Sequence, residues 1–193
     1  MTQLNNKIAI VTGSGGGFGE GIAKAYVHEG ARVIVADINA EAAVRVATAL
    51  GAHASAFTCD VSKADQVQAL VAHCVKTFGI PDIVVNNAGT THKNSPMLDV
   101  NEAMFDKVFA VNVKSIFHMT HAVLPLMRQQ KRGVILNIGS TAGIRPRPGL
   151  SWYNASKGAV NVLSKSMAVE LGPENIRVNA VCPVMGVTAL FED

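Results

Sequence analysis

The sequence predicts an α/β protein: a parallel sheet wound on both faces by helices. Three observations carry this. Short runs of branched apolar residues alternate with longer segments of helical periodicity along the chain. The first such run leads straight into a glycine-rich loop and then a helical pattern, which is the opening of a βαβ unit. Finally, 49% of the 193 residues are apolar and 16% are charged, enough to bury one core, so residues 1–193 are expected to form a single domain.

The elements follow in order. Lys7 to Thr12 holds Ile-Ala-Ile-Val, a buried-strand pattern. Gly13-Ser14-Gly15-Gly16-Gly17-Phe18-Gly19 follows, then a helix marked by Ile22, Ala23, Tyr26 and Val27. Glycines let the backbone turn tightly and approach a ligand, and a helix start offers free N–H groups and a positive dipole end to a phosphate. The loop reads Thr-Gly-x-x-x-Gly-x-Gly over Thr12, Gly13, Gly17 and Gly19. Counted from Gly13, the Gly-x-Gly-x-x-Gly fingerprint would need a glycine at Phe18, and no lysine suits an ATP-type phosphate loop.

Arg32 to Ala36 is the second strand and ends at Asp37, 20 positions after Gly17. A carboxylate there can accept hydrogen bonds from an adenosine ribose and repels a 2′-phosphate. That favours NAD over NADP. The same aspartate can also cap the helix beginning near Ala40, and the two roles are compatible. Ala40 to Leu50 reads as a helix, Ala54 to Thr58 as a third strand, and Lys63 to Phe78 as a helix stopped by Gly79-Ile80-Pro81. Asp82 to Val85 begins a fourth strand that leads to Asn86-Asn87-Ala88-Gly89. Asn101 to Ala110 and Val111 to Gln130 read as helices, with Pro125 a candidate kink. Gly133 to Ile138 is a fifth strand, Ser151 to about Leu171 a helix, and Ile176 to Val181 a sixth strand closed by Cys182-Pro183. Right-handed crossovers place the loops after each strand along one edge, where a ligand should lie.

The chemistry converges on Ser151 to Gly158. Tyr153 and Lys157 lie four apart, on one face of a helix. An ammonium beside a phenol favours the phenolate and lowers the tyrosine pKa from about 10. Such a tyrosine can pass a proton to or from a reacting oxygen. The plain alternative is an amphipathic helix with one aromatic residue and one solvated lysine.

Other classes are disfavoured. The formal charge is +3 and the basic residues are scattered, so no nucleic-acid partner is expected. The polar start lacks a signal-peptide core, and no apolar run approaches the roughly 20 residues that span a membrane. Three cysteines, Cys59, Cys74 and Cys182, lack zinc spacing and read as reduced thiols, most of them buried, of a cytoplasmic protein. His118 and His121 have no evident third ligand, so no metal is expected, and a surface or interface role is expected for them. His92 reads as an exposed loop histidine.

With these residues in hand, the chain resembles the compact branch of the short-chain dehydrogenase/reductase family over essentially its whole length. The resemblance rests on Thr12-Gly13-x-x-x-Gly17-x-Gly19, Asn86-Asn87-Ala88-Gly89, Asn112, Ser140, Tyr153-x-x-x-Lys157 and Pro183. It implies a three-layer Rossmann-type sheet of strand order 3-2-1-4-5-6, with the family's usual seventh strand absent from this chain. It also implies roles. Tyr153 is the general acid/base, and Lys157 tunes it and binds the nicotinamide ribose. Ser140 holds the substrate oxygen. Asn112 distorts its helix and holds a relay water. Gly13, Ser14, Gly17, Phe18, Gly19, Asp37, Asp60, Val61, Asn87, Ala88, Gly89, Pro183 and Thr188 surround the cofactor, with Asp60 and Val61 at the adenine. Turn and packing readings stay open for Ser140 and Asn112.

The activity implied is NAD-dependent interconversion of a secondary alcohol and a ketone. A 3-oxoacyl-thioester reductase using NADPH and a non-catalytic nucleotide-binding module are the alternatives. The partners implied are a small-molecule substrate and further copies of the chain, in a homotetramer or homodimer. Two departures stand out: Pro183 is followed by valine where the family often has glycine, and the sequence ends at Asp193, before the family's substrate loop is complete. A piece of the family fold ending there is expected to be less stable and less active than a longer one.

Overall fold

In the computed structural model, residues 2–184 are described. Six strands form one parallel sheet in the order β3-β2-β1-β4-β5-β6. They are β1 (Ile8–Thr12), β2 (Arg32–Asp37), β3 (Ala54–Thr58), β4 (Ile83–Asn86), β5 (Gly133–Ile138) and β6 (Ile176–Val181). The helices between them are α1 (Gly17–His28), α2 (Ala40–Leu50), α3 (Ala64–Thr77), α4 (Glu102–Phe109), α5 (Ser115–Gln129) and α6 (Ser151–Leu171).

The two-residue period of a strand sends alternate side chains to opposite faces, and each face has its own core. Ile8, Ile10, Ile34, Val84, Ile135 and Val178 pack beneath α3, α5 and α6. Ala9, Val11, Val33, Val35, Ile83 and Val85 pack beneath α1 and α2. Strands buried on both faces read as continuous apolar runs, which is why β1 and β4 carry no alternation in sequence. Towards β5 and β6 the second face is less covered among the described residues. Val134, Leu136 and Ile138 are half-buried there, and Val181 is exposed.

Four readings of the sequence need correction. α4 and α5 are not separate helices: a π-helical turn over Ala110–Lys114 joins them, and the helix continues through Pro125. The cap of α2 is Asn39, whose Oδ1 accepts the Ala42 N–H at 3.0 Å, so Asp37 is left for other contacts. His92 is not an exposed loop residue but 3% exposed, and His118, read as a surface or interface residue, is also buried, on α5. The cysteines follow the reading: Cys59 and Cys74 are buried, and burial pushes their thiols up to about 11 and about 12.

Candidate active site

The site forms along the C-terminal edge of the sheet, where the parallel strands end together. At β1 the chain leaves Thr12 and turns through Gly13 at φ +61°, where its Cα faces the backbone of Ala88. A Cβ on Gly13 would stand 2.8 Å from the Ala88 Cα, and one on Gly19 would overlap the Gly13 carbonyl oxygen. Over Gly16 the space is open, with no heavy atom within 4 Å of a built Cβ. Gly16 is also the N-cap of α1 and supplies no side-chain cap, so the first N–H groups of that helix have no side-chain acceptor from it. An open floor, free donors and a helix N-terminus together fit a pyrophosphate.

Ser14 belongs to the loop's foundation. It is fully buried, and its hydroxyl donates to the Val11 carbonyl at 2.7 Å, so its side chain turns inward. Phe18 is 43% exposed on the outer side. Asp37 accepts the Gly15 N–H on Oδ2 at 2.8 Å and the Asn39 N–H on Oδ1 at 2.9 Å. Its carboxylate therefore stands at the loop, as a ribose acceptor must. A feature invisible in the sequence appears here. Arg45 reaches from α2 to donate to the Gly15 carbonyl at 2.7 Å and pairs with Glu20 at 2.7 Å. Arg45 and Lys24 hold the Glu20 carboxyl down at about 2.

The junction of β1 and β4 is hydrogen-bonded shut. The Thr12 hydroxyl donates to the Val85 carbonyl and accepts the N–H groups of Asn87 and Ala88. The Asn87 amide donates to the carbonyls of Thr12 and Gly13, both at 2.8 Å. Asn87 thus braces the loop from below. Asp60 accepts from the N–H and hydroxyl of Ser62 on one oxygen, and Val61 packs its side chain into the core.

Asn112 sits in the π-helical turn, 3% exposed. Its Oδ1 accepts the Thr90 N–H at 2.8 Å, and its Nδ2 donates to the Thr90 carbonyl and the Ser156 hydroxyl, each at 2.9 Å. One amide therefore ties the loop after β4 to α6. Next to it Gly89 leaves room: a Cβ there would lie 3.4 Å from Asn112 Oδ1 and 3.5 Å from Lys157 Nζ.

Lys157 is buried and donates to the Ile138 carbonyl, at the end of β5, at 2.8 Å. Burial draws its pKa from 10.5 down to about 8, only partly opposed by the nearby Cys182. Its Nζ lies 6.0 Å from the centre of the Tyr153 ring. The expected lowering of the Tyr153 pKa by this lysine is not found. Burial raises the phenol, while the Ser140 hydroxyl and then the Arg147 charge pull it back down. Two adjacent groups are desolvated together, and in water-poor surroundings each resists its charged form. Ser140 is buried, and its hydroxyl oxygen accepts the Ala142 N–H at 3.0 Å, leaving its own proton to donate.

The structure thus brings together Ser140, Tyr153, Lys157, Asn112 and Gly89 at the ends of β4, β5 and α6, with the glycine loop and Asp37 further along the same edge. Pro183 reaches it too, its carbonyl accepting from the N–H and hydroxyl of Thr141. Thr188 lies outside the described residues. Among the described residues no cluster of three or more His, Cys, Asp or Glu could hold a metal, and no helix is long and apolar enough to cross a membrane. Sequence reasoning missed a buried chain behind the site. Asn86 donates to Asn137 at 2.8 Å, and Asn137 donates to Ser164 at 2.9 Å. An asparagine at the end of β4 and one at the penultimate position of β5, each in an otherwise apolar strand, was the available signal.

An open parallel sheet with a glycine loop at its first crossover and a Ser–Tyr–Lys set beside it defines a doubly wound nucleotide-binding α/β protein. Comparison with known proteins narrows this. Residues 7–193 match the family described as short chain dehydrogenase. A 4-formylbenzenesulfonate dehydrogenase of Comamonas testosteroni is 47% identical over 99% of this chain and 77% of its own length. The crystal structure of a 3-ketoacyl-(acyl-carrier-protein) reductase from Brucella melitensis, complexed with NADH, superposes with a TM-score of 0.96 at 43% identity, over 97% of this chain and 79% of that one. The structure of an NAD+-bound xylitol dehydrogenase superposes with a TM-score of 0.90 at 34% identity, over 94% and 71% of the two chains. The chain belongs to the short-chain dehydrogenase/reductase family and is an oxidoreductase acting on CH–OH groups.

Proposed function

We propose that the protein interconverts a small secondary alcohol and its ketone using NAD(H). The observation that carries this reading is the convergence of Ser140, Tyr153 and Lys157 at one edge of the sheet, with the open glycine loop beside them. Bound nicotinamide supplies the hydride acceptor or donor. The residues supply position and the proton path. Ser140, its acceptor side taken by Ala142, donates its proton to the substrate oxygen. Tyr153 exchanges a proton with that oxygen as the carbon bearing it gains or loses hydride. Lys157 leaves the Ile138 carbonyl to hold the ribose hydroxyls and, as a cation, favours the phenolate. Asn112 fixes the loop that covers Lys157. Ser140, Lys157 and Asn112 are buried, so they act with little competing water.

Asp37 supports NAD, since its carboxylate at the loop would repel a 2′-phosphate. Arg45 is the one cation that reaches the loop among the described residues, and Glu20 occupies it. A 3-oxoacyl-thioester reductase is the second reading, favoured by the name of the Brucella melitensis structure. A homotetramer or homodimer is proposed from the exposed apolar residues Phe117 on α5 and Val162 and Val169 on α6. Light scattering at micromolar concentration showing a monomer would contradict it.

The test is titration with NADH and NADPH separately, read by quenching of Trp152, the single tryptophan. Turnover of 2-alkanols, 1-phenylethanol and acetoacetyl thioesters is then compared with that of Tyr153→Phe. NADH binding at least about tenfold tighter, a difference of about 1.4 kcal/mol, and loss of about a thousandfold in turnover in Tyr153→Phe are expected. Tighter NADPH with thioester turnover favours the second reading. Full turnover in Tyr153→Phe removes both.

A further inference from the structure

We propose that Asn161 is a positioning residue for the Ser–Tyr–Lys site, setting Ser140 against Tyr153 and linking it to the exit of β6 through Cys182. The inference rests on the reading of Ser140 and Tyr153 given above. Asn161 lies on α6 one turn beyond Lys157 and is no part of the Tyr-x-x-x-Lys pattern.

Its amide has both ends engaged. Nδ2 donates to the Ser140 carbonyl at 3.2 Å, and Oδ1 accepts the Cys182 S–H at 3.3 Å. The orientation follows from chemistry, because a carbonyl can only accept, which assigns the NH₂ end to Ser140. Two glycines make the space. A Cβ on Gly139 would overlap Asn161 Oδ1, and one on Gly143 would stand 2.8 Å from Nδ2. The amide therefore fills a slot between the residue before Ser140 and the residue three after it.

The turn it enters is laced to β6 on both sides. Gly139 N–H donates to the Val181 carbonyl at 2.8 Å, and Thr141 N–H donates to the Pro183 carbonyl at 3.1 Å. The Ser140 carbonyl also accepts the Gly143 N–H at 3.1 Å, and its hydroxyl accepts the Ala142 N–H. Those two bonds fix the turn's internal shape. Among the described residues the Asn161 bond is the one hydrogen bond that ties the Ser140 carbonyl to α6, the helix that carries Tyr153 and Lys157. Without it the serine keeps its turn but loses a fixed distance to the phenol.

This has a readout that needs no substrate. The chain has two tyrosines, Tyr26 and Tyr153. Tyrosinate ultraviolet absorbance after a rapid pH jump, with Tyr153→Phe subtracted, reports the Tyr153 phenol alone. Burial, Ser140 and Arg147 act on it, and the Lys157 ammonium lies 6.0 Å from its ring centre. Ser140→Ala is expected to move its titration up by about one unit. Asn161→Leu, similar in shape but without hydrogen bonds, is expected to move it up by a similar amount, and the double variant no further. Cys182→Ala is expected to give a smaller rise, and Cys182→Ser to restore the wild-type value.

An Asn161→Leu titration equal to wild type, or a double variant whose shift is the sum of the two, overturns the proposal while leaving Ser140 in place. If Asn161→Leu fails to fold by circular dichroism, the cysteine pair decides, and equal titrations of Cys182→Ala and Cys182→Ser overturn it. No movement in Ser140→Ala would instead remove the Ser–Tyr reading on which the proposal rests.

Discussion

Around β1 and β2 the site is made from backbone and empty space, whereas around β5 and α6 it is made from buried polar side chains. In the first region Gly13 and Gly19 are pressed against main chain, Gly16 opens onto empty space, and α1 starts without a side-chain cap. In the second, Asn86, Asn137, Asn112, Ser156, Ser164 and Lys157 are all buried and all hydrogen-bonded. The first region tolerates no added atom where backbone meets backbone. The second depends on every partner being present, since a buried polar group left alone costs more than its bond contributes. A phosphate cradle needs room. A proton-transfer site needs fixed polar groups away from water.

The largest expected effect falls in the first region. Gly19→Ala puts a methyl into the Gly13 carbonyl, and backbone cannot yield as a side-chain end can. Destabilisation of about 4 kcal/mol in urea unfolding, with loss of NADH binding, is expected. Gly16→Ala, over open space, sharpens the comparison: it should leave the unfolding midpoint unchanged and weaken only NADH. A Gly19→Ala protein as stable as wild type would break it.

Next is Asn137→Leu in the second region. It strands the Asn86 amide and takes the donor from the Ser164 hydroxyl, which keeps only its own bond to the Val160 carbonyl, so a loss of about 3 kcal/mol is expected by the same measurement. A neutral result would mean that the buried chain is ornamental and that the two regions differ less than their geometry says.

Lys157 is expected to act in the opposite direction. Its folded pKa of about 8 lies below its ordinary 10.5, so over that window the unfolded chain binds more protons. Stability therefore rises with pH between about 8 and 10.5, and the penalty for burying the ammonium is present in full below about 8. Lys157→Met should be more stable than wild type at pH 7 by about 2 kcal/mol, after allowing for the lost bond to Ile138, and the gap should close towards pH 10. The same variant should lose turnover. Unfolding curves at pH 7 and pH 10 check both the sign and the window.

The smallest effect is at the rim of the first region. Arg45→Ala removes an exposed partner of Glu20 and should leave the unfolding midpoint where it is. The Glu20 carboxyl, now held only by Lys24, should rise from about 2 towards its ordinary 4.5, as read by NMR titration. Because its folded pKa is depressed, whatever this carboxylate contributes is present above about pH 4.5 and is lost as pH falls through about 2.

Local pattern made the elements legible. α2, β3, β5, α6 and β6 fall where periodicity and glycine stops place them, because each signal lies within its own segment. The glycine loop, Asp37 and the Tyr153–Lys157 pair stood out for a related reason: close backbone approach, ribose binding and proton transfer each demand a particular residue type at a fixed spacing, whereas Ser140 came only with the family resemblance. The sequence by itself therefore determined the layered architecture and offered the residues proposed for its chemistry. Tertiary structure alone decided what surrounds them. Arg45 reaches Gly15 across 30 residues, and Asn137 meets Asn86 across 51. Asn161 meets Ser140 across 21. The direction of the Tyr153 shift also belongs to this class. Its spacing to Lys157 argued for lowering, and burial of the phenol raises it instead, because desolvation depends on all that packs around a side chain and on nothing written beside it in the chain.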